Sequence, residues 1–284
     1  MLSAFSVQAQ NLFVSDYSSH VYEFTPGGVQ STFATGMNYP TGIAFNSAGD
    51  LFVGNSDNNN GEQGNITEIT PSGVQSVFAS GVDPIGLAFN NAGNLFETDY
   101  RSGNIYEFTP SGVQSTFATG FSLPLALAFN SAGDLFVGAG YGNNNGYITE
   151  ITPNGTQSLF ASGLSFPNGL AFNNAGNLFV SSQSSGNIYE FTPSGVQSTF
   201  ATLPESGING LAFNNPGDLL VATGQTGSII EITPSGVQST FASGLGASMG
   251  LAFQNETLPV PEPSTLGLLA VGLFGITLWR RHQG

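Results

Sequence analysis

Four oxygen-bearing side chains stand where a hard cation could use them. Asp16 and Asp99 each close an apolar run and precede a tyrosine, in VSDY and ETDY. Asn168 and Asn209 each precede a glycine at the start of another apolar run, in PNGLAF and INGLAF. Carboxylate and amide oxygens are the ligands that Ca²⁺ prefers, so these four are the candidate metal set. The same residues have a plainer use, because Asx side chains at strand ends bond their own backbone turns. Turn capping is the commoner role, and both readings stay open at this level. Arg101 and Tyr141, in neighbouring segments, join the four as candidate binding residues. The run Asp57-Asn58-Asn59-Asn60-Gly61-Glu62 looks calcium-like, but its glycine falls one place early for an EF-hand loop, and it reads as a hairpin tip. His20 and His282 are far apart in the chain, and no Ser/His/Asp set or phosphate loop is apparent.

These residues sit on a repeat. The tripeptide AFN begins at Ala44, Ala88, Ala128, Ala171 and Ala212, and AFQ begins at Ala252. A second marker, LF, begins at Leu12, Leu51, Leu95, Leu135 and Leu178 and becomes LL at Leu219. Each unit of about 40 residues holds four short runs rich in Phe, Val, Ile and Thr, separated by Gly, Pro and Asn turns. Four strands per unit of that length is the pattern of a β-propeller blade. The sequence therefore predicts an all-β, six-bladed propeller of four-stranded blades over residues 11–254. The first blade lacks its own inner strand. Leu251–Gln254 is predicted to supply it, which closes the ring with the last strand and removes an open edge.

Of the 24 Phe in the chain, 20 fall at equivalent places in the units, which marks them as packing between blades. Glu23, Glu68, Glu107, Glu150, Glu190 and Glu231 also recur, one per unit. Six acids could form a catalytic ring. A sixfold repeated residue better fits a sixfold repeated structural need, such as bonding backbone N–H groups.

The units agree at some turns and disagree at others. N-x-AG-D/N and T-P-x-G hardly vary, and both fall on one face of the predicted disc. The segments entering the inner strands (GMNYPTG, GVDPIG, GFSLPLA, GLSFPNG, LPESGING, GLGASMG) and the turns after the second strands vary strongly, and both fall on the other face. Binding groups concentrate on loops held by a rigid scaffold, so the variable face is the predicted working face.

Composition narrows the partners. The 284-residue chain carries three basic residues, no lysine and a net charge of −15, which repels nucleic acid. It has no cysteine, hence no disulfide framework or thiolate metal site. With 40% hydrophobic residues it is a folded chain rather than a disordered one.

The motif P-x-G-[LI]-A-F-N-x-x-G-[DN]-L-F-V, followed by NIYEFTP-x-G, resembles the NHL and gluconolactonase-like six-bladed propellers over Asn11–Gln254. For the gluconolactonase group this implies a divalent metal in the channel, held by Glu, Asn and Asp, and hydrolysis of lactones. Asn168, in FPNGLAF, matches the pattern of one such ligand. The other ligands have no clear match, and no acidic residue aligns with the group's N-terminal metal-binding Glu. A likeness of fold does not by itself carry the activity.

The tail has its own logic. Leu266–Trp279 is a 14-residue apolar run, short of the roughly 20 that span a bilayer comfortably. It ends in Trp279-Arg280-Arg281, an interfacial aromatic and paired positive charges, as the positive-inside rule expects of a cytoplasmic end. A short C-terminal transmembrane helix is predicted. VPEPSTLGLLAVGLFGITLWRRHQG resembles a PEP-CTERM sorting signal, with the tripeptide Pro261-Glu262-Pro263, an apolar helix, and then Arg280 and Arg281. The resemblance implies recognition by an exosortase, a precursor held in the inner membrane through the helix, and release or attachment at the cell surface of a Gram-negative bacterium. Such proteins often accompany exopolysaccharide.

The expected organisation is a truncated signal-peptide remnant at residues 1–10, with a cleavage-like Val7-Gln8-Ala9. The propeller follows at 11–254, a linker with the PEP motif at 255–263, and the sorting helix with its basic tail at 264–284. The function expected is a non-catalytic module binding glycan or protein partners through the variable face, with Ca²⁺ as the one candidate cofactor. The competing expectation is a metal-dependent lactonase-type hydrolase.

Overall fold

The computed structural model describes residues 10–56, 63–142 and 144–254. Residues 1–9 and 255–284 fall outside these, and with them the predicted signal remnant, linker and C-terminal helix. Among the described residues no helix is long and apolar enough to cross a membrane.

Six four-stranded antiparallel sheets form the ring. Blade 1 uses Leu12–Asp16, His20–Phe24 and Gln30–Thr35, with Ser248–Phe253 as its inner strand. That inner strand pairs Leu251 with Val14 and Phe253 with Leu12, so the last strand closes the first blade as predicted. Blades 2 to 5 each begin on a proline, at Pro40, Pro84, Pro124 and Pro167, and blade 6 begins at Ile208. In every blade a bulge displaces the outer strand against the third, as between Val21 and Tyr22, and sharpens the blade's twist.

The inner strands lie very close together. A Cβ on Gly42 would meet the Ile85 carbonyl at 2.5 Å, one on Gly86 the Leu125 carbonyl at 2.7 Å, and one on Gly169 the Asn209 carbonyl at 2.3 Å. Gly210 faces Met249 O at 2.5 Å and Gly250 faces Thr41 O at 2.6 Å in the same way. Glycine is needed here for close approach rather than for an unusual backbone angle. Blade 4 carries Ala126 at this place.

Further out the space between blades widens and phenylalanine fills it. Phe52 touches Phe78 of its own blade and Phe89 of the next in edge-to-face geometry, with centroids 4.9 and 5.0 Å apart. The same trio recurs around Phe13, Phe96, Phe136 and Phe179. Such pairs add about 0.5–1.5 kcal/mol each beyond the area they bury.

The repeated glutamates have a structural use, but not the one expected. Asn11, Asn94 and Asn177 donate through Nδ2 to Glu23, Glu107 and Glu190, each at 2.7 Å. Their partners are side-chain amides rather than backbone N–H groups. Blades 2, 4 and 6 replace that asparagine with Asp50, Asp134 and Asp218, each of which accepts from an asparagine in its own turn. Burial, and then the neighbouring Asp50 or Asp218, raises the pKa of Glu68 and Glu231.

Inner strands run from the variable face to the invariant one. The described chain therefore begins and ends on the invariant face, where Gln254 N–H donates to Asn11 O at 3.2 Å. Gly42→Ala is expected to lower stability by about 1–3 kcal/mol, since its contacts are all backbone and cannot step aside. Urea denaturation checks this.

Candidate functional site

On the variable face, the residue before the inner-strand proline is held in the left-handed region at Tyr39 (φ 48°), Leu123 (φ 50°) and Phe166 (φ 53°). Bulky side chains rarely accept that region, and a following proline disfavours helical backbone further. Their carbonyls or neighbours are pinned, as where Ser56 N–H donates to Tyr39 O and Gln183 N–H to Phe166 O. Strain of this kind collects where a surface must be presented in one way.

The channel itself is narrow. Its cavity, of about 80 Å³, is lined by inner-strand residues such as Ile43, Leu87, Leu127, Leu170 and Leu211, with Thr41 and Asn168 as its polar side chains. Above it, on the variable face, a cavity of about 570 Å³ is lined by Tyr17, Gln183, Ser206, Asn209, Gln225 and Met249, among others. A second cavity, of about 590 Å³, adjoins it through Tyr17 and Ala247 and reaches Asn38 and Tyr39.

The structure brings Asn168 and Asn209 together. Asn168 Nδ2 donates to Asn209 Oδ1 at 2.7 Å, and Gln183 Nε2 donates to the same oxygen at 2.8 Å. Asn209 Nδ2 donates in turn to Ser248 O at 2.8 Å. Asn209 is buried, and its oxygen already faces two N–H donors.

Asp16 and Asp99 lie elsewhere, in blades 1 and 3. Asp16 is buried, accepts from the backbone and hydroxyl of Ser18 on Oδ1, and accepts from Gly246 N–H at 3.2 Å on Oδ2. Asp99, also buried, accepts from Ser102 N–H on Oδ1 and Asp83 N–H on Oδ2, each at 2.8 Å. The Ser18 and Ser102 contacts cap turns, and those from Gly246 and Asp83 tie the carboxylates to the segments that enter the inner strands of blades 1 and 3. Among the described residues no three of His, Cys, Asp or Glu come together in a way that could hold a metal ion.

Arg101 Nε donates to Asp83 Oδ2 at 3.2 Å, and Asp83 Oδ1 accepts from Ser56 Oγ at 3.0 Å. Tyr141 is 62% exposed and sets its ring edge-on to Phe166, 4.4 Å away. The Asp57–Glu62 run lies outside the described residues.

Sequence reasoning did not single out Gln183, Gln225, Tyr17 or Tyr39. The glutamines stand in corresponding turns, SSQSSG and ATGQTG, a shared signal within otherwise divergent segments.

Glu97 was also missed. Five blades carry valine at its place (Val14, Val53, Val137, Val180 and Val221), all fully buried. Glu97 is equally buried, and neither of its carboxylate oxygens has a hydrogen-bond partner. Burial, then the nearby Asp99 and Asp83, pushes its pKa well above the ordinary range. Tyr17 and Tyr100 are raised too, mainly by burial. For Tyr17 the lesser causes are Tyr39 and then Asp83, and for Tyr100 they are Tyr141 and then Asp83.

Residues 259–281 match the profile of the PEP-CTERM protein-sorting motif. The chain carries a PEP-CTERM sorting signal. Pro261, Glu262, Pro263, Arg280 and Arg281 all fall within the matched range. The motif implies an exported, surface-sorted protein of a Gram-negative bacterium, processed by an exosortase. Among curated proteins none matches the chain. An X-ray structure provisionally described as that of a gluconolactonase superposes with a TM-score of 0.66 at 17% identity, covering 88% of this chain and 86% of its own. In all, 548 solved chains match, so the shared fold singles out no activity.

The folded state holds Glu97's proton where the unfolded chain releases it, above about pH 4.3. Glu97 therefore costs stability as pH rises through the window between the two pKa values. Glu97→Val is expected to gain about 1–3 kcal/mol at pH 8 and less at pH 4. Thermal unfolding at the two pH values reads this, and equal gains would mean that Glu97 is not held neutral.

Proposed function

We propose that this PEP-CTERM propeller is a non-catalytic binding module that takes a glycan or protein partner on its variable face. The observation that carries the reading is the position of the two large cavities. Both open on the face where the repeats disagree, and segments that differ between blades line them. Cavities of this size suit ligands, and loops on a rigid scaffold can vary without cost to the core. Exopolysaccharide and surface proteins are the partners that surface sorting would bring within reach. In this reading residues 255–263 link the disc to a sorting helix and basic tail at 264–284. The helix holds the precursor in the inner membrane before processing.

The alternative, a lactonase-type hydrolase, is favoured by the superposition and by Asn168 and Asn209 at the channel. It needs a divalent metal there. The residues present do not suit one, since Asn209 Oδ1 meets two N–H donors while Asp16 and Asp99 accept backbone N–H groups in blades 1 and 3. No catalytic step is therefore assigned.

Two measurements on the purified protein separate the readings. The binding module is expected to unfold at the same temperature in EDTA and in millimolar Ca²⁺, and to leave gluconolactone at its spontaneous hydrolysis rate. A metal at 100 times its dissociation constant would add about 2.7 kcal/mol of stability. Such a rise, lost in Asn168→Ala and accompanied by lactone opening, would replace this reading with the enzyme.

A further inference from the structure

The two variable-face cavities share Tyr17 and Ala247, so they form one crescent around the channel mouth, lined by blades 5, 6, 1 and 2 with Ile85 of blade 3. No Asp, Glu, Lys, Arg or His lines either part. Amides, hydroxyls and two aromatic rings line them, beside the apolar Met37, Ile85, Ala247 and Met249. We propose that this crescent is a binding site for an uncharged oligosaccharide, with Tyr17 and Tyr39 as its stacking platform and Gln183 and Gln225 as its hydroxyl readers. The proposal rests on the binding-module reading above and gives that reading a ligand class.

The chemistry runs from the side chains to the ligand. A pyranose has an apolar C–H face and a rim of hydroxyls that both donate and accept. The first needs a rigid aromatic surface, the second fixed groups of mixed polarity. Tyr17 and Tyr39 lie with centroids 5.0 Å apart at 58°, both half-buried, so they make an angled wall rather than two loose rings. The left-handed backbone at Tyr39, held by Ser56 N–H on its carbonyl, fixes that side of the wall before any ligand arrives.

The amides are fixed as well. Gln183 Nε2 donates to Asn209 Oδ1, and Gln225 Nε2 donates to Ser206 Oγ at 3.1 Å. Each glutamine thus keeps Oε1 as an acceptor in a pinned group, so little side-chain entropy is lost on binding. Tyr17, with its pKa raised, remains a neutral donor well into the alkaline range.

Other ligand classes fit worse. A phosphate or uronate would meet no cation in the crescent, and Arg101, on blade 3, is engaged by Asp83. A purely apolar ligand would cover the amides and hydroxyls without pairing them, which is costly.

The test uses the purified full chain on an array holding uncharged and uronic-acid oligosaccharides, followed by calorimetric titration of whichever bind. Binding of an uncharged oligosaccharide is expected. It should weaken about tenfold or more in Tyr17→Ala and in Gln225→Ala, and survive in Tyr17→Phe. Near-ultraviolet circular dichroism and the unfolding midpoint confirm that each variant is folded. Binding to no uncharged glycan, or binding that Tyr17→Ala and Gln225→Ala leave intact, overturns the proposal. Retention of the protein on its own cells separates the two levels. If cells hold it, and release it with Tyr141→Ala plus Arg101→Ala but not with Tyr17→Ala, the module reading stands and the saccharide site falls. If no variable-face substitution affects retention or array binding, both fall.

Discussion

The closeness of the inner strands governs the rest of the molecule. Where a Cβ would come within 2.3–2.7 Å of a neighbouring backbone, only hydrogen fits without a shift, and five blades place glycine there. Backbones pulled this near leave a channel of about 80 Å³, too small to house a sugar-sized ligand. Wedges that touch at the hub must diverge outward, and the Phe trios occupy the diverging space. Chemistry is thereby displaced from the axis to its mouth, where the chain is released from these packing demands and varies.

A second order lies within the sixfold one. Blades 1, 3 and 5 carry Ser15, Thr98 and Ser181 on their second strands, and these hydroxyls donate to inner-strand carbonyls of the next blade at Thr41, Leu125 and Asn209. Blades 2, 4 and 6 have Gly54, Gly138 and Ala222 in that place. Gln75, Gln157 and Gln238 reach back from the even blades to odd-blade carbonyls. At the other seams Phe78 meets Phe108, Phe160 meets Phe191, and Phe241 meets Phe24. The ring is thus a threefold array of two-blade units with two kinds of seam, one adding Ser/Thr and Gln staples and the other an outer Phe pair to the contacts that neighbouring blades otherwise share.

The ring was legible in the sequence because each blade must solve the same packing problem with residues in the same register. Leu12, Phe13 and Val14 announce a strand that LFV at Leu51 and Leu135 repeats. The two-blade period was also visible, since Ala44, Ala128 and Ala212 are evenly spaced 84 residues apart, but a shorter repeat with the same markers hides it. The site was much less legible. Asp16 and Asp99 have the type and position of ligands, yet oxygens at strand ends find backbone N–H groups first, and nothing in a sequence reports which partner prevails. The left-handed backbone at Tyr39 depends on how the variable segment is tied at both ends. The meeting of Tyr17 with Tyr39, or of Gln183 with Asn209, joins loops whose contact comes only from the packing of neighbouring blades. Glu97 differs in kind, because one acid among five valines is a plain departure from pattern in the sequence itself.

The direction of a single strand also sets how the disc is held. Ser248–Phe253 enters at the mouth and leaves on the invariant face, and from Gln254 the chain leads on to the PEP-CTERM motif. In the proposed arrangement, with the PEP-CTERM end toward the cell, the uniform turns lie on the side of the attachment and the varied surface on the side away from it, open to whatever arrives from outside.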